Sequence, residues 1–186
     1  MKAGEKIEKF ENEDEKFIVR YPEMNDWKDL LELNNSLVEE ENRLPIKKRS
    51  EEAEVDFLSN KLEEIEKGKE IYLVLEKRGK VKGGANLSPR GLESASRAAD
   101  VDIRIKKDIR DKELGLKFLK CLEKESKENL NEIKVLIAQL PESNDFSRSL
   151  FEDFGFELEL IAEDSFKFED GSYQDNIIYS KQLDLE

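Results

Sequence analysis

The chain has 186 residues, with 45 acidic against 32 basic side chains, a net charge of −13, one cysteine and no histidine. Without histidine and with a single thiol there is no Ser-His-Asp or Cys-His nucleophile pair, no histidine-ligated zinc site and no intrachain disulfide, and a reducing, cytoplasmic setting is expected. The negative sign argues against a broad nucleic-acid surface, no apolar run approaches the ~18 residues of a membrane span, and the 41% of charged residues, mostly Glu and Lys, match the surface ion-pair networks of heat-adapted proteins.

Residues 1 to 16 carry high charge, two large apolar side chains and no sustained period, which predicts a solvated tail or frayed helix ahead of one domain over 17 to 186. Phe17-Ile18-Val19 reads as a first strand, ended by Pro22 and Asn25. Trp27, Leu30, Leu31, Asn34, Leu37 and Val38 then recur at helical spacing. A second helix follows Pro45, with Ser50 as its cap and an apolar stripe of Val55, Leu58, Leu62 and Ile65 up to Gly68. IYLVLEKRGKVKGGANL and AADVDIRIK predict an antiparallel meander turned at Arg78-Gly79. Leu114, Phe118, Cys121 and Leu122 mark a helix, Lys134 to Leu140 a strand, and Phe146, Leu150 and Phe154 a helix closed by Gly155. Two strands finish the chain, Phe156 to Ile161 and Gln174 to Lys181, with a turn signal at Asp170-Gly171. The order β-α-α-β-β-β-α-β-α-β-β predicts a mixed α+β domain, antiparallel in front and α/β behind.

The most informative stretch runs from Asp102 through a polar loop into the helix at Leu114. Amides at a helix N-terminus and the helix dipole favour an anion, and Gly115 would let a backbone approach. Residues 104 to 112 hold five Lys/Arg and two Asp, a local positive excess able to steer a polyphosphate. The bland alternative is an ordinary basic helix start on a mixed-charge surface.

Together with Asn144-Asp145-Phe146-Ser147-Arg148-Ser149-Leu150-Phe151-Glu152-Asp153-Phe154-Gly155-Phe156, this loop resembles the GNAT superfamily of acetyl-CoA-dependent N-acetyltransferases over roughly residues 17 to 183. Arg110, Glu113 and Gly115 fall on the family's Q/R-x-x-G-x-G/A loop, which cradles the CoA pyrophosphate. Leu150 with Phe154-Gly155-Phe156 matches L-Y-x-x-x-G-F. The last segment, ELIAEDSFKFEDGSYQDNIIYSKQL, looks like the closing hairpin of ribosomal-protein, polyamine and small-amine acetyltransferases. The resemblance implies a mostly antiparallel sheet of about seven strands flanked by about four helices, with acetyl-CoA as co-substrate and no metal. It implies a CoA site at Ile103, Arg104, Ile105, Arg110, Asp111, Lys112, Glu113, Leu114, Gly115, Leu116, Lys117 and Asn144. Ile103 and Ile105 would pair with pantetheine through their backbone.

The resemblance also implies a carboxylate near the start of the strand leading to the loop, where Asp100 and Asp102 stand, to take the proton of the attacking amine. Both lie on the face opposite Val101, Ile103 and Ile105. Two positions depart from the pattern. Glu113 replaces a loop glycine and adds a negative charge, and Phe151 stands where the family has the tyrosine that protonates the CoA thiolate. Ser147, Ser149 and Tyr72 are the substitute hydroxyls by chain position. The acceptor is expected to be a small amine, a polyamine or a peptide or protein amine, with cationic acceptors mildly favoured by the acidic surface. Nucleic acid and membrane are not expected as partners; a homodimer is compatible with the resemblance, though no segment of the sequence marks an interface. The alternative function is a catalytically weakened GNAT-fold CoA-binding or interaction module. Cys121 reads as a core thiol, and the acidic clusters at 11–15, 39–41 and 51–54 as solvated faces.

Overall fold

The computed structural model describes residues 1–12, 14–40, 47–91, 97–168 and 171–183. The strands are β1 (Lys6–Asn12), β2 (Glu15–Arg20), β3 (Ile71–Lys77), β4 (Lys80–Pro89), β5 (Ala98–Ile105), β6 (Val135–Pro141), β7 (Glu157–Lys167) and β8 (Tyr173–Gln182). The α-helices among the described residues are α1 (Trp27–Val38), α2 (Glu51–Glu66), α3 (Lys112–Asn129) and α4 (Asp145–Asp153). Among the described residues the eight strands form one sheet in the order β1-β2-β3-β4-β5-β6-β8-β7. Every neighbouring pair is antiparallel except β5 and β6.

Local signals explain most of these boundaries. Ser50 Oγ accepts the Ala53 amide at 3.2 Å and starts α2 as a helix cap. Arg78 and Gly79 both take positive φ, 51° and 74°, which is the geometry that turns a two-residue hairpin between β3 and β4. The Asp170 half of the last turn signal, like Pro45, lies outside the described residues.

Residues 6–12 correct the expectation of a tail or frayed helix, for they form the edge strand β1 on β2. Phe10 stacks on Phe17 with ring centroids 5.9 Å apart, and Ile7 packs against the same core. A register shift between Lys6 and Glu8 brings these two side chains, three positions apart, to one side. A period of three in so short a segment hides the strand alternation that would have revealed it.

The sheet separates two helical layers. Arg104 of β5 bonds Asn34 of α1, so the even-numbered side chains of β5 lie on the α1 and α2 side. Tyr21, next to β2, donates to Glu125 of α3 at 2.7 Å on the opposite side. A buried ion triad sets the entry to α1: Arg20 donates to Asp26 and to Glu76, each at 2.7 Å. At the other end β7 is an open edge with Leu158, Leu160 and Ile161 exposed, and Glu157, Glu159 and Glu163 interleaved among them discourage strand addition.

Candidate active site

The site begins where the parallel pairing fails. β5 and β6 pair from Ala98↔Val135 to Val101↔Ala138 and then part, so the backbone of Asp102 to Ile105 no longer faces a neighbouring strand on that side. A cleft of about 130 Å³ fills the gap, walled by β5, the first residues after the parting in β6, the ends of α1 and α4, and Arg110. An unpaired strand edge is a row of hydrogen-bonding groups ready for an extended ligand.

Of the CoA-site residues expected from sequence, Ile103, Arg104, Ile105, Arg110 and Asn144 line this cleft, as does the carboxylate candidate Asp102. Asp100 does not. It sits where β5 is still paired, opposite Ile137, and its Oδ1 accepts Arg90 Nε at 2.8 Å and Nη2 at 2.6 Å. Asp102, half exposed, is bridged by Arg104 Nη2 at 2.9 Å. Arg104 therefore turns towards α1 and its own strand neighbour rather than towards the helix N-terminus. Burial opposes the charge on Arg104, but the Asp102 carboxylate outweighs it and raises the pKa of the guanidinium.

The loop after β5 is tied down more tightly than its charge suggests. Among the described residues, four of the five cations between 104 and 112 are ion-paired: Arg104 to Asp102, Lys106 to Glu32, Arg110 to Glu40 at 2.6 Å and Lys112 to Asp153 at 2.5 Å. The positive excess read from sequence is thus largely compensated, in three of these four pairs by carboxylates distant in the chain. Asp111 caps α3, its Oδ1 accepting the Leu114 amide at 2.9 Å and Asn12 Nδ2 of β1 at 3.3 Å. Lys112 also donates to Ser149 at 2.7 Å. Glu113, mostly exposed, bonds Lys117 one turn on at 2.8 Å, and Lys117 also reaches the Glu11 carbonyl of β1 at 3.3 Å. The added charge of Glu113 is therefore held outside the cleft lining. Leu114 is a core residue, and Leu116 is partly buried against the same core. Gly115 is buried against α4, where a Cβ would stand 2.9 Å from the Leu150 methyls, so helix packing accounts for the glycine.

On the other wall, Asn144 Oδ1 accepts the Ser147 amide at 3.2 Å and caps α4. Of the three substitute hydroxyls, Ser147 lines the cleft, Ser149 is held by Lys112, and Tyr72 is buried on the α2 side, edge-to-face with Phe57. Burial raises the Tyr72 hydroxyl well above its ordinary pKa. Phe151 lines the cleft while packing edge-to-face on Phe156 at 4.9 Å.

Sequence reasoning missed Glu40, Gln139 and Phe146, all in the cleft wall. Glu40 belongs to the 39–41 cluster expected to be a solvated face, yet its side chain is only 14% exposed beside Arg110. Glu54, in the 51–54 cluster, is buried and paired to Arg49 at 2.9 Å. No local pattern marks Glu40, because its partner Arg110 lies seventy positions away. Cys121 is a buried core thiol. Among the described residues there is no group of three or more His, Cys, Asp or Glu placed to hold a metal, and no helix long and apolar enough to cross a membrane.

The family model described as Acetyltransferase (GNAT) domain matches residues 19–178. This chain belongs to the GNAT acetyltransferase family. GNAT enzymes are N-acetyltransferases that use acetyl-CoA as co-substrate. No curated protein matches the chain significantly in sequence. Among solved structures it is similar to a ribosomal-protein-alanine N-acetyltransferase from Brucella melitensis, with TM-score 0.75 and 25% identity over 89% of this chain and 99% of that one. A putative acetyltransferase from Salmonella typhimurium, solved with acetyl-CoA, gives TM-score 0.76 and 18% identity over 91% and 95% of the two chains. The ribosomal L7/L12 α-N-protein acetyltransferase in complex with coenzyme A gives TM-score 0.79 and 12% identity over 96% and 100%. The last two likenesses concern the fold. The mostly antiparallel sheet with four helices is the GNAT fold expected from sequence, with β1 as its eighth strand.

Proposed function

We propose that this GNAT chain moves an acetyl group from acetyl-CoA directly to a primary amine, and that the preferred amine is the α-amine of a peptide or protein. The observation that carries the reading is the parting of β5 from β6 beside the capped N-terminus of α3. The backbone of Ile103 and the amide of Ile105, whose carbonyl Arg110 already engages, would hold the pantetheine arm, and the first turn of α3 would face the pyrophosphate. The acceptor would enter beside Asp102, whose carboxylate takes the ammonium proton and so frees the nitrogen lone pair that attacks the thioester. Ser147 would offer its hydroxyl to the departing thiolate, a tolerable leaving group given the thiol pKa of ~8.5.

The charge balance of the cleft supports a peptide α-amine over a polyamine. Its carboxylates Glu40 and Asp102 are matched by Arg110 and Arg104, so the lining offers no surplus negative charge to a multivalent cation. The acidic surface as a whole does not extend into the cleft. An α-amine, with a pKa of ~8 against ~10.4 for lysine, also yields its proton more readily to a carboxylate.

Thiol release from acetyl-CoA with a panel of peptides, free lysine, spermidine and small amines tests this. Peptides with free α-amines are expected to react fastest, and Asp102→Asn to lower kcat by about 10²-fold or more at neutral pH. Faster turnover of spermidine would overturn the acceptor assignment. Acetyl-CoA binding with no turnover of any amine would favour the non-catalytic reading that Phe151 suggests.

A further inference from the structure

We infer that Glu40 is a positioning residue for the acetyl-CoA loop, acting through Arg110; the inference rests on the reading above that this cleft takes acetyl-CoA. Glu40 follows α1, seventy positions before Arg110. The two side chains meet as a fork on a fork: Nη1 donates to Oε2 at 2.6 Å and Nη2 to Oε1 at 2.8 Å. Nε and Nη2 also donate back to the Ile105 carbonyl at 3.0 and 2.8 Å. Both side chains are largely buried, at 16% and 14% exposure, and the Phe146 ring of α4 lies 5.7 Å from the guanidinium carbon.

An arginine has five N–H donors in a rigid fork, and these contacts engage four of them. The fork that would grip a phosphate is already filled, and the pair carries no net charge. What Arg110 does here is join four elements that frame the cleft. It holds the last residue of β5, the second residue after α1, the first turn of α4 and, through its chain neighbour Asp111, the cap of α3. The distance between the β5 edge and the α3 N-terminus is set by that joint. An extended cofactor must reach both at once, so an error in their spacing weakens its binding without removing any ligand-contacting group. Glu40 supplies the counter-charge that keeps the buried guanidinium in place.

Calorimetric titration with acetyl-CoA, at low and high salt, of the wild type, Glu40→Ala, Arg110→Ala and the double variant tests the inference. Each single change is expected to raise Kd by about tenfold or more, and the double to do no further harm, because both remove one joint. The salt dependence of binding should stay as in the wild type in the double variant, since a neutral pair attracts no anion at range and its removal leaves the local charge unchanged. kcat at saturating acetyl-CoA should change far less than KM. Amide hydrogen exchange over residues 105 to 115 should quicken in all three variants. If either Ala variant fails to fold, Glu40→Gln, which keeps the shape and one hydrogen bond, is expected to show the same effect at smaller size.

Unchanged or tighter binding in Glu40→Ala would overturn the inference, and beside weakened binding in Arg110→Ala it would make Arg110 a phosphate ligand restrained by Glu40. Harm that adds up in the double variant would overturn it too. A wild type that binds no acetyl-CoA would instead overturn the reading of the cleft, and this inference with it.

Discussion

Leu150 of α4 occupies the space that a side chain on Gly115 of α3 would need, since a Cβ there would stand 2.9 Å from both leucine methyls. Gly115→Ala is therefore expected to cost about 1–3 kcal/mol through overpacking, even though alanine alone favours a helix by ~1 kcal/mol. Leu150→Ala on its own should also destabilise, by about 2–5 kcal/mol, but the double variant should lose clearly less than the sum. Urea unfolding of the three variants decides it. Additive losses would mean that the leucine is not what excludes a side chain at Gly115.

Phe151 places a ring without a hydroxyl in the cleft wall. Phe151→Tyr is expected to raise kcat by up to about tenfold, less than the ~10²–10⁴ of a general acid, because a thiolate already leaves readily near neutral pH. Ser147→Ala should lower kcat in the native background and matter less beside the new tyrosine. Steady-state thiol release in the four combinations is the measurement. Equal effects of Ser147→Ala in both backgrounds would exclude a shared role.

Alkaline pH should expose the buried acids of the core. Burial and then the 2.7 Å hydrogen bond to Glu152 raise the Tyr179 hydroxyl from 10.0 to about 12. Burial, then the Glu8 carboxylate, pushes the Cys121 thiol from 9.0 up to about 12. Folding holds both groups in the protonated form, so the unfolded chain releases these protons first. Their contribution to stability is complete below about pH 9 and drains away as pH rises towards 12. Denaturant unfolding across this range should fall accordingly, and Tyr179→Phe should make the fall shallower. Cys121 should resist a thiol reagent near neutral pH until the chain unfolds.

Much of the fold is legible in local patterns. The stripes of α1 and α2, the Ser50 cap, the Arg78-Gly79 turn and the strand-loop-helix from Asp102 to Leu114 all depend on neighbours within one or two turns of chain. Residues 6–12 escaped because a register shift spoils the alternation of an edge strand. Within the site, Ile103, Ile105, Arg110 and Asn144 were legible through the loop and the second helix start that together resemble the GNAT pattern.

By itself the sequence determined the order and kind of the elements from residue 17 onwards, the family and the segments that build the cleft, because hydrophobic period, capping and turn chemistry act over a few residues. Only the tertiary structure decided how those segments act. It ends the β5–β6 pairing at Val101 and Ala138, which opens the cleft, and so separates Asp102 from Asp100. It closes Arg110 on Glu40, and it makes Gly115 a packing position rather than a place for a ligand to approach. Each of these outcomes joins residues far apart in the chain, and the geometry and charge of such meetings are set by how whole elements pack, which no local pattern encodes.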